Sequence, residues 1–273
     1  MKKAIGVFDS GYGGLAVLKE IVALLPEYDY LYLGDNARVP YGTKSQQTVY
    51  NYTLECVEWI LKQGCDLVIL ACNTASASAL RTIQQNDLPR IDKNKRILGV
   101  LRPTTEVIGN LTSTGEIGIL GTNRTVDSNS YPIEIEKFFP GLKIQQLPCP
   151  MWVPLVENGE YDSTGADYFI KRDINLILGK GKNIDALLLA CTHYPLLRKK
   201  IEKYLPEGVK LITQGEIVAK SLENYLFRHP EIENKLNKQG QIEFYTTDST
   251  EDFDKHGTIF FGKSVKSKHL SLT

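Results

Sequence analysis

Asp66-Leu-Val-Ile-Leu-Ala-Cys72-Asn-Thr74 and Asp185-Ala-Leu-Leu-Leu-Ala-Cys191-Thr-His193 carry one pattern twice. In each, an acidic residue precedes an apolar run, then Ala-Cys, then small polar residues suited to opening a helix. An unbroken apolar run of this length reads as a strand buried on both faces of a parallel sheet. Each cysteine then sits at the carboxyl end of its strand, where open α/β sheets bind ligands. If the copies belong to two halves of a pseudo-symmetric molecule, the two thiols face each other across one cleft. Such a pair suits removal of a proton from one face of a carbon and return of a proton to the other.

The repeat extends outward from the cysteines. Ile5-Gly-Val-Phe-Asp-Ser10 resembles Ile117-Gly-Ile-Leu-Gly-Thr122, an offset (5 to 117) of 112 residues, close to the 119 (72 to 191) between the cysteines. Two matches at nearly one offset point to duplication. Between them strands and helices alternate. Strands are expected over 4–8, 28–33 and 67–71, with helices over 13–25, 45–63 and 75–85. Residues 85–95, polar and broken by Pro89, read as a loop. The rhythm restarts with strands over 97–100, 116–120, 143–147, 186–190 and 209–212, helices over 127–139, 164–178, 196–204 and 216–227, and a strand over 241–246. This is α/β patterning, with mainly parallel sheets flanked by helices. The Lys/Ser-rich tail 263–273 reads as loosely held.

Composition narrows the function. The 273 residues fit two modest domains or one large one, and 42% hydrophobic content supports an ordinary core. Lys+Arg and Asp+Glu are both 32, so no basic surface marks a nucleic-acid partner. No apolar stretch approaches the roughly 20 residues that span a bilayer. The opening apolar run meets Asp9 and glycines before a signal-peptide core forms, which reads as cytoplasmic. Five cysteines without a CxxC do not describe a disulfide framework, and Cys56, Cys65 and Cys149 read as buried structural thiols. The four histidines are too dispersed to suggest a metal site.

Asp9-Ser-Gly-Tyr-Gly-Gly-Leu-Ala16 follows the first strand. Gly11, Gly13 and Ala16 fit the dinucleotide pattern, and Asp35 stands where a ribose-binding acid belongs. Physically the loop offers only a tight turn and N–H groups at a helix start, which suit any anion. A nucleotide-binding oxidoreductase is thus the alternative from another class. A periplasmic-type binding protein, the third reading, gives no reason for paired cysteines. A thiol at a strand end facing a helix start is expected to have its pKa lowered. Asp9 and His193 are placed to assist one thiol each. Arg38-Val-Pro-Tyr-Gly42 forms a loop able to close over a ligand.

Together these residues resemble the glutamate racemase family, within the cofactor-independent aspartate/glutamate racemases. The resemblance rests on Phe8-Asp-Ser-Gly-Tyr-Gly-Gly14, Asp35-Asn-Ala-Arg-Val-Pro-Tyr-Gly42, Ala71-Cys-Asn-Thr-Ala75, Gly121-Thr-Asn-Arg-Thr-Val126, Pro154-Leu-Val-Glu-Asn-Gly159 and Ala190-Cys-Thr-His-Tyr-Pro195, in family order. It implies two pseudo-symmetric α/β domains with the active site between them, the terminal segment returning to the first. We therefore expect one domain of 1–97 plus 209–273 and another of 98–208. It implies L- and D-glutamate as substrates, no cofactor or metal, a homodimer, and supply of D-glutamate for peptidoglycan. A racemase for aspartate or another amino acid is the closest chemical rival.

Carried over by position, Cys72 and Cys191 are the two acid/base residues, the first serving D-glutamate and the second L-glutamate. Asp9 would support Cys72, His193 would support Cys191, and Glu157 matches a further acid near the site. Substrate binding would fall to Asp9, Ser10, Tyr41, Gly42, Asn73 and Thr74 from the first half. Thr122, Thr192 and His193 would complete it from the second.

Overall fold

The computed structural model describes residues 3–272. The chain first lays down β1 (Ile5–Asp9), β2 (Tyr30–Gly34), β3 (Leu67–Leu70) and β4 (Arg96–Gly99). It then crosses to a second sheet of β5 (Glu116–Gly121), β6 (Lys143–Pro148), β7 (Ala186–Ala190) and β8 (Lys210–Ile212). Finally it returns to add β9 (Ile242–Thr246) and β10 (Ser267–His269) to the first. The strand orders are β10-β9-β2-β1-β3-β4 and β6-β5-β7-β8, and every neighbouring pair is parallel. The order β2-β1-β3-β4 is therefore repeated as β6-β5-β7-β8, with β1 matching β5 and β3 matching β7. The duplication read from two short sequence matches is present in the topology.

Burial explains why the strands were visible in the sequence. β1, β2, β3, β5 and β7 are buried along their whole length, covered by helices on both faces. The helix Gln46–Lys62 buries Val49, Val57, Ile60 and Leu61, and a side chain at Gly6 of β1 would overlap Ile60. The helix Leu15–Leu24 packs against the helix Gly215–Arg228, which follows β8. One apolar cluster contains Val7 of β1 and Ile119 of β5, so the two sheets share a continuous core. Among the described residues, no helix is long and apolar enough to cross a membrane.

Several expectations need correction. The expected first unit includes residues 209–212, but β8 pairs with β7 and closes the second sheet; the return begins after Ile212. The expected loop over 85–95 is partly helical, through Ile83–Asp87 and Leu88–Ile91. Pro89 follows directly on the wider turn Ile83–Asp87, at the start of the latter segment. The helix expected over 127–139 is two, Asn123–Asp127 and Ser130–Phe138, broken at Asn129 with φ 52°. Asparagine tolerates this left-handed conformation better than most residues. The tail is held through its middle: Val265 is buried, the Ser267 N–H donates to Asp254 Oδ1 at 2.8 Å, and β10 pairs with β9. A helix over Thr250–Phe261, not expected, covers the returned strands.

Candidate active site

In the order β2-β1-β3-β4 the connections leaving β1 and β3 run to opposite sides, opening a crevice at their carboxyl ends. Asp9 ends β1 and Ser10 follows it; Cys72 follows β3. The second sheet repeats this, with Thr122 following β5 and Cys191 following β7. The two crevices meet. One cleft of about 640 Å³, counting its open mouth, is lined by Ser10, Cys72, Asn73 and Thr74 from the first half. From the second half come Thr122, Glu157, Cys191, Thr192 and His193. The loop expected to close over a ligand supplies Tyr41 and Gly42 to the wall. A side chain at Gly42 would lie 2.7 Å from Thr122 Cβ, so glycine lets the two halves touch here.

The two thiols differ in surroundings. Cys72 caps the helix Asn73–Ser78, its Sγ accepting the Ala75 N–H at 3.4 Å. Ser10 Oγ lies 3.5 Å from the same sulfur. The expected lowering of the Cys72 pKa is nevertheless reversed. Burial, then the charge of Asp9, push the thiol up to about 12, against the smaller pull of the Ala75 N–H and the Ser10 hydroxyl. A six-residue helix does not offset full desolvation. Cys191 is not a helix cap: the chain turns through Thr192 and His193 into a short 3-10 segment, Tyr194–Leu197. Its neighbour is an imidazole, with His193 Nδ1 3.9 Å from Cys191 Sγ and Nε2 3.2 Å from Glu157 Oε1. The latter approach lies off the line of the ring N–H, so it acts as an ion pair more than a hydrogen bond. Burial alone would lower the His193 pKa; Cys191 and Glu157 outweigh it and raise it to about 10.

Asp9 lies under the cleft, fully buried. Its Oδ2 accepts the Gly11 N–H at 2.9 Å, and its Oδ1 accepts the Thr192 hydroxyl at 3.4 Å. Burial raises its pKa, with His193 the largest opposing influence. Asp9 thus touches the second half as closely as it serves the first. This also bears on the dinucleotide pattern. The anion at the glycine loop is the protein's own Asp9, and a side chain at Gly13 would overlap Thr192 Oγ1 and lie 2.7 Å from His193 Nδ1. Asp35, the candidate ribose acid, is buried and accepts from Arg38 Nε at 2.6 Å, from Thr247 Oγ1 at 2.8 Å and from the Tyr41 hydroxyl. It anchors the loop 38–42 instead. Among the described residues, no group of three His, Cys, Asp or Glu side chains is arranged to hold a metal ion.

A model of the Asp/Glu/Hydantoin racemase family matches residues 5–222. The chain is 38% identical over 271 residues to the glutamate racemase of Persephonella marina, spanning 99% of this chain and 98% of that protein. The chain belongs to the glutamate racemase family. It is accordingly an isomerase. A glutamate racemase isoform from Bacillus anthracis superposes with a TM-score of 0.89 at 33% identity, over 99% of this chain and 98% of that one. The glutamate racemase of Francisella tularensis, solved in complex with D-glutamate, gives 0.88 at 33% identity, again over 99% and 98%.

The cleft wall brings together Ser10, Tyr41, Gly42, Cys72, Asn73 and Thr74 with Thr122, Glu157, Cys191, Thr192 and His193, and Asp9 lies beneath it, whereas Asp35 and Arg38 stand outside the wall. Sequence reasoning missed the short helix Trp152–Glu157, which aims Glu157 at His193. Buried Trp152 fixes it, edge-on to Tyr194 with ring centroids 4.8 Å apart. It also set Cys149 aside as structural, yet Cys149 lines the cleft, its thiol held neutral by burial. The wall residue Val153 carried no motif.

The His193 pair makes stability pH-dependent. Its folded pKa, about 10, lies above the unfolded value near 6.5, so its contribution is whole below about pH 6.5 and is lost as pH rises through about 10. The parent chain should therefore lose more thermal stability between pH 7 and pH 10 than a His193→Gln variant. Equal slopes of Tm against pH for the two proteins would contradict this.

Proposed function

We propose that the chain interconverts L- and D-glutamate by two-base proton transfer at Cα between Cys72 and Cys191. The observation that carries this reading is that the two thiols occupy matching positions, after β3 and β7, and open into one cleft. Their surroundings suit opposite resting roles. Cys72, its pKa near 12, keeps its proton and is the acid. Cys191, with His193 Nδ1 3.9 Å away, is the base.

With L-glutamate, Cys191 breaks the Cα–H bond and forms S–H, while Cys72 gives its proton to the opposite face. The product is D-glutamate with the proton balance inverted, and the reverse direction starts from that state. Negative charge developing on the substrate meets donors already in place, the hydroxyls of Ser10, Thr74 and Thr122. Enclosure between the halves strengthens these interactions. Glutamate is chosen over aspartate on the strength of relatives named as glutamate racemases across the whole chain. The cellular role that follows is supply of D-glutamate for peptidoglycan precursors.

Incubation with D-glutamate in D2O without added cofactor, followed by circular dichroism and Cα deuterium by mass spectrometry, tests the reading. Loss of optical activity with deuterium incorporation is expected, and much slower loss with D-aspartate. No exchange with either amino acid would overturn it.

A further inference from the structure

Asn73 follows Cys72 and lines the cleft, and its Nδ2 is buried without a protein partner. An amide nitrogen in that state needs an acceptor from a bound molecule, or it costs the desolvation of two N–H bonds. What leaves the nitrogen rather than the oxygen without a partner is a chain of hydrogen bonds from the segments that join the two halves. The main-chain carbonyl of Val100 can only accept. The atom of Gln214 facing it at 3.2 Å must therefore be Nε2. The same nitrogen approaches Thr104 Oγ1 at 2.9 Å, while the Thr104 hydroxyl gives its own proton to Val100 O at 3.1 Å. Nε2 also donates to the Tyr131 hydroxyl oxygen at 2.9 Å. With that oxygen receiving, the single Tyr131 proton must go elsewhere, and it goes to Asn73 Oδ1 at 2.5 Å. Asn73 then has one orientation left, with its oxygen on Tyr131 and its nitrogen free for an acceptor on a bound molecule.

We propose that Tyr131 is a positioning residue for the Asn73 amide, its hydroxyl aimed by Gln214. The relay spans three parts of the fold. Val100 and Thr104 lie in the crossover leaving the first sheet, Gln214 in the crossover returning to it, and Tyr131 on the helix Ser130–Phe138. It is buried throughout, with Tyr131 fully inaccessible and Gln214 5% exposed, so water does not substitute for a missing partner. The orientation of a substrate-facing amide is thus referred to the joint between the halves. The inference rests on Asn73 as a substrate-binding residue.

The test is a double-mutant cycle on the full chain with Tyr131→Phe and Asn73→Ala, measuring racemisation of both glutamate enantiomers. Tyr131→Phe keeps the ring and frees Asn73 to turn; KM should rise about tenfold with kcat within about threefold, as for a contact made equally in ground and transition states. In the Asn73→Ala background the same change should alter kcat/KM by less than about twofold. Gln214→Glu, of nearly equal size, puts an acceptor against Tyr131 and draws its proton away from Asn73. It should raise KM likewise, and lose that effect when Asn73 is alanine. Losses that multiply across the cycle, or unchanged kinetics in Tyr131→Phe, would overturn the relay. A parent chain that does not racemise glutamate would instead sink the proposed function. The 15N signal of the Asn73 side-chain amide reads the relay without turnover: it should shift in Tyr131→Phe, and an unmoved signal refutes the relay.

Discussion

Serine in place of either Cys72 or Cys191 is expected to lower racemisation of both enantiomers by about 10²–10⁴-fold, the range of a lost general acid or base. A hydroxyl holds its proton far more tightly than a thiol, so it fails as base on one face and as donor on the other. The two variants should fail differently. Cys72→Ser leaves Cys191 beside His193, 3.9 Å from its ring nitrogen, so L-glutamate should still exchange its Cα proton with solvent slowly and without inversion. Cys191→Ser leaves only a thiol whose pKa stands near 12, and little exchange of either enantiomer is expected. Circular dichroism and deuterium content in D2O separate the two outcomes. Turnover within about tenfold of the parent in either variant contradicts two-base transfer.

The second large effect is Gly13→Ala. No left-handed backbone requires glycine at this position; proximity does. A methyl group would overlap Thr192 Oγ1 and stand 2.7 Å from His193 Nδ1 and 2.9 Å from its Cε1. Both neighbours belong to the segment that follows Cys191, so relief requires that segment to move away. A displacement of about 1 Å in a reacting group costs roughly 10²-fold in rate, and a fall of that size in kcat/KM is expected. Gly11→Ala is the companion variant: its methyl would meet Val39 Cγ1 at 3.3 Å and Asn36 Nδ2 at 3.5 Å, which small adjustments accommodate. It should stay within a few-fold of the parent. Normal activity in Gly13→Ala would mean that the glycine loop is not fitted to the second half.

These two variants also mark what could be read from the chain alone. The cysteine segments were legible because strand burial and the residues after it are local in sequence. β3 and β7 are apolar runs ending in Ala-Cys, and no long-range contact is needed to see them. The helix Thr250–Phe261 carried a signal that went unused: Ser249 caps it by accepting the Asp252 N–H at 3.2 Å, and Gly262 ends it in the left-handed region. The helix Trp152–Glu157 carried almost none, being six residues long with a proline in its first turns. The glycine loop was seen but its partner was not, because Gly13 and Thr192 meet only through tertiary structure. Gln214 and Tyr131 were invisible for the same reason: their partners lie 114, 110, 83 and 58 residues away. The sign of the Cys72 shift was misread because a local cue, the helix start, competes with burial that only the fold reveals.

The return of the chain to its first sheet has a consequence for synthesis. β2 must wait for β9 on its outer edge, and β9 is made about 200 residues later. At ~5–20 residues per second, that is roughly 10–40 s during which the nascent chain shows a buried-type strand, Tyr30–Gly34, with one row of amides and carbonyls unpaired. The intervening β5–β8 sheet has all its strands between residues 116 and 212 and suffers no such delay. The nascent chain is therefore most exposed to edge-to-edge association in its first-made sheet, and a ribosome that stops before β9 releases a product with that edge permanently open.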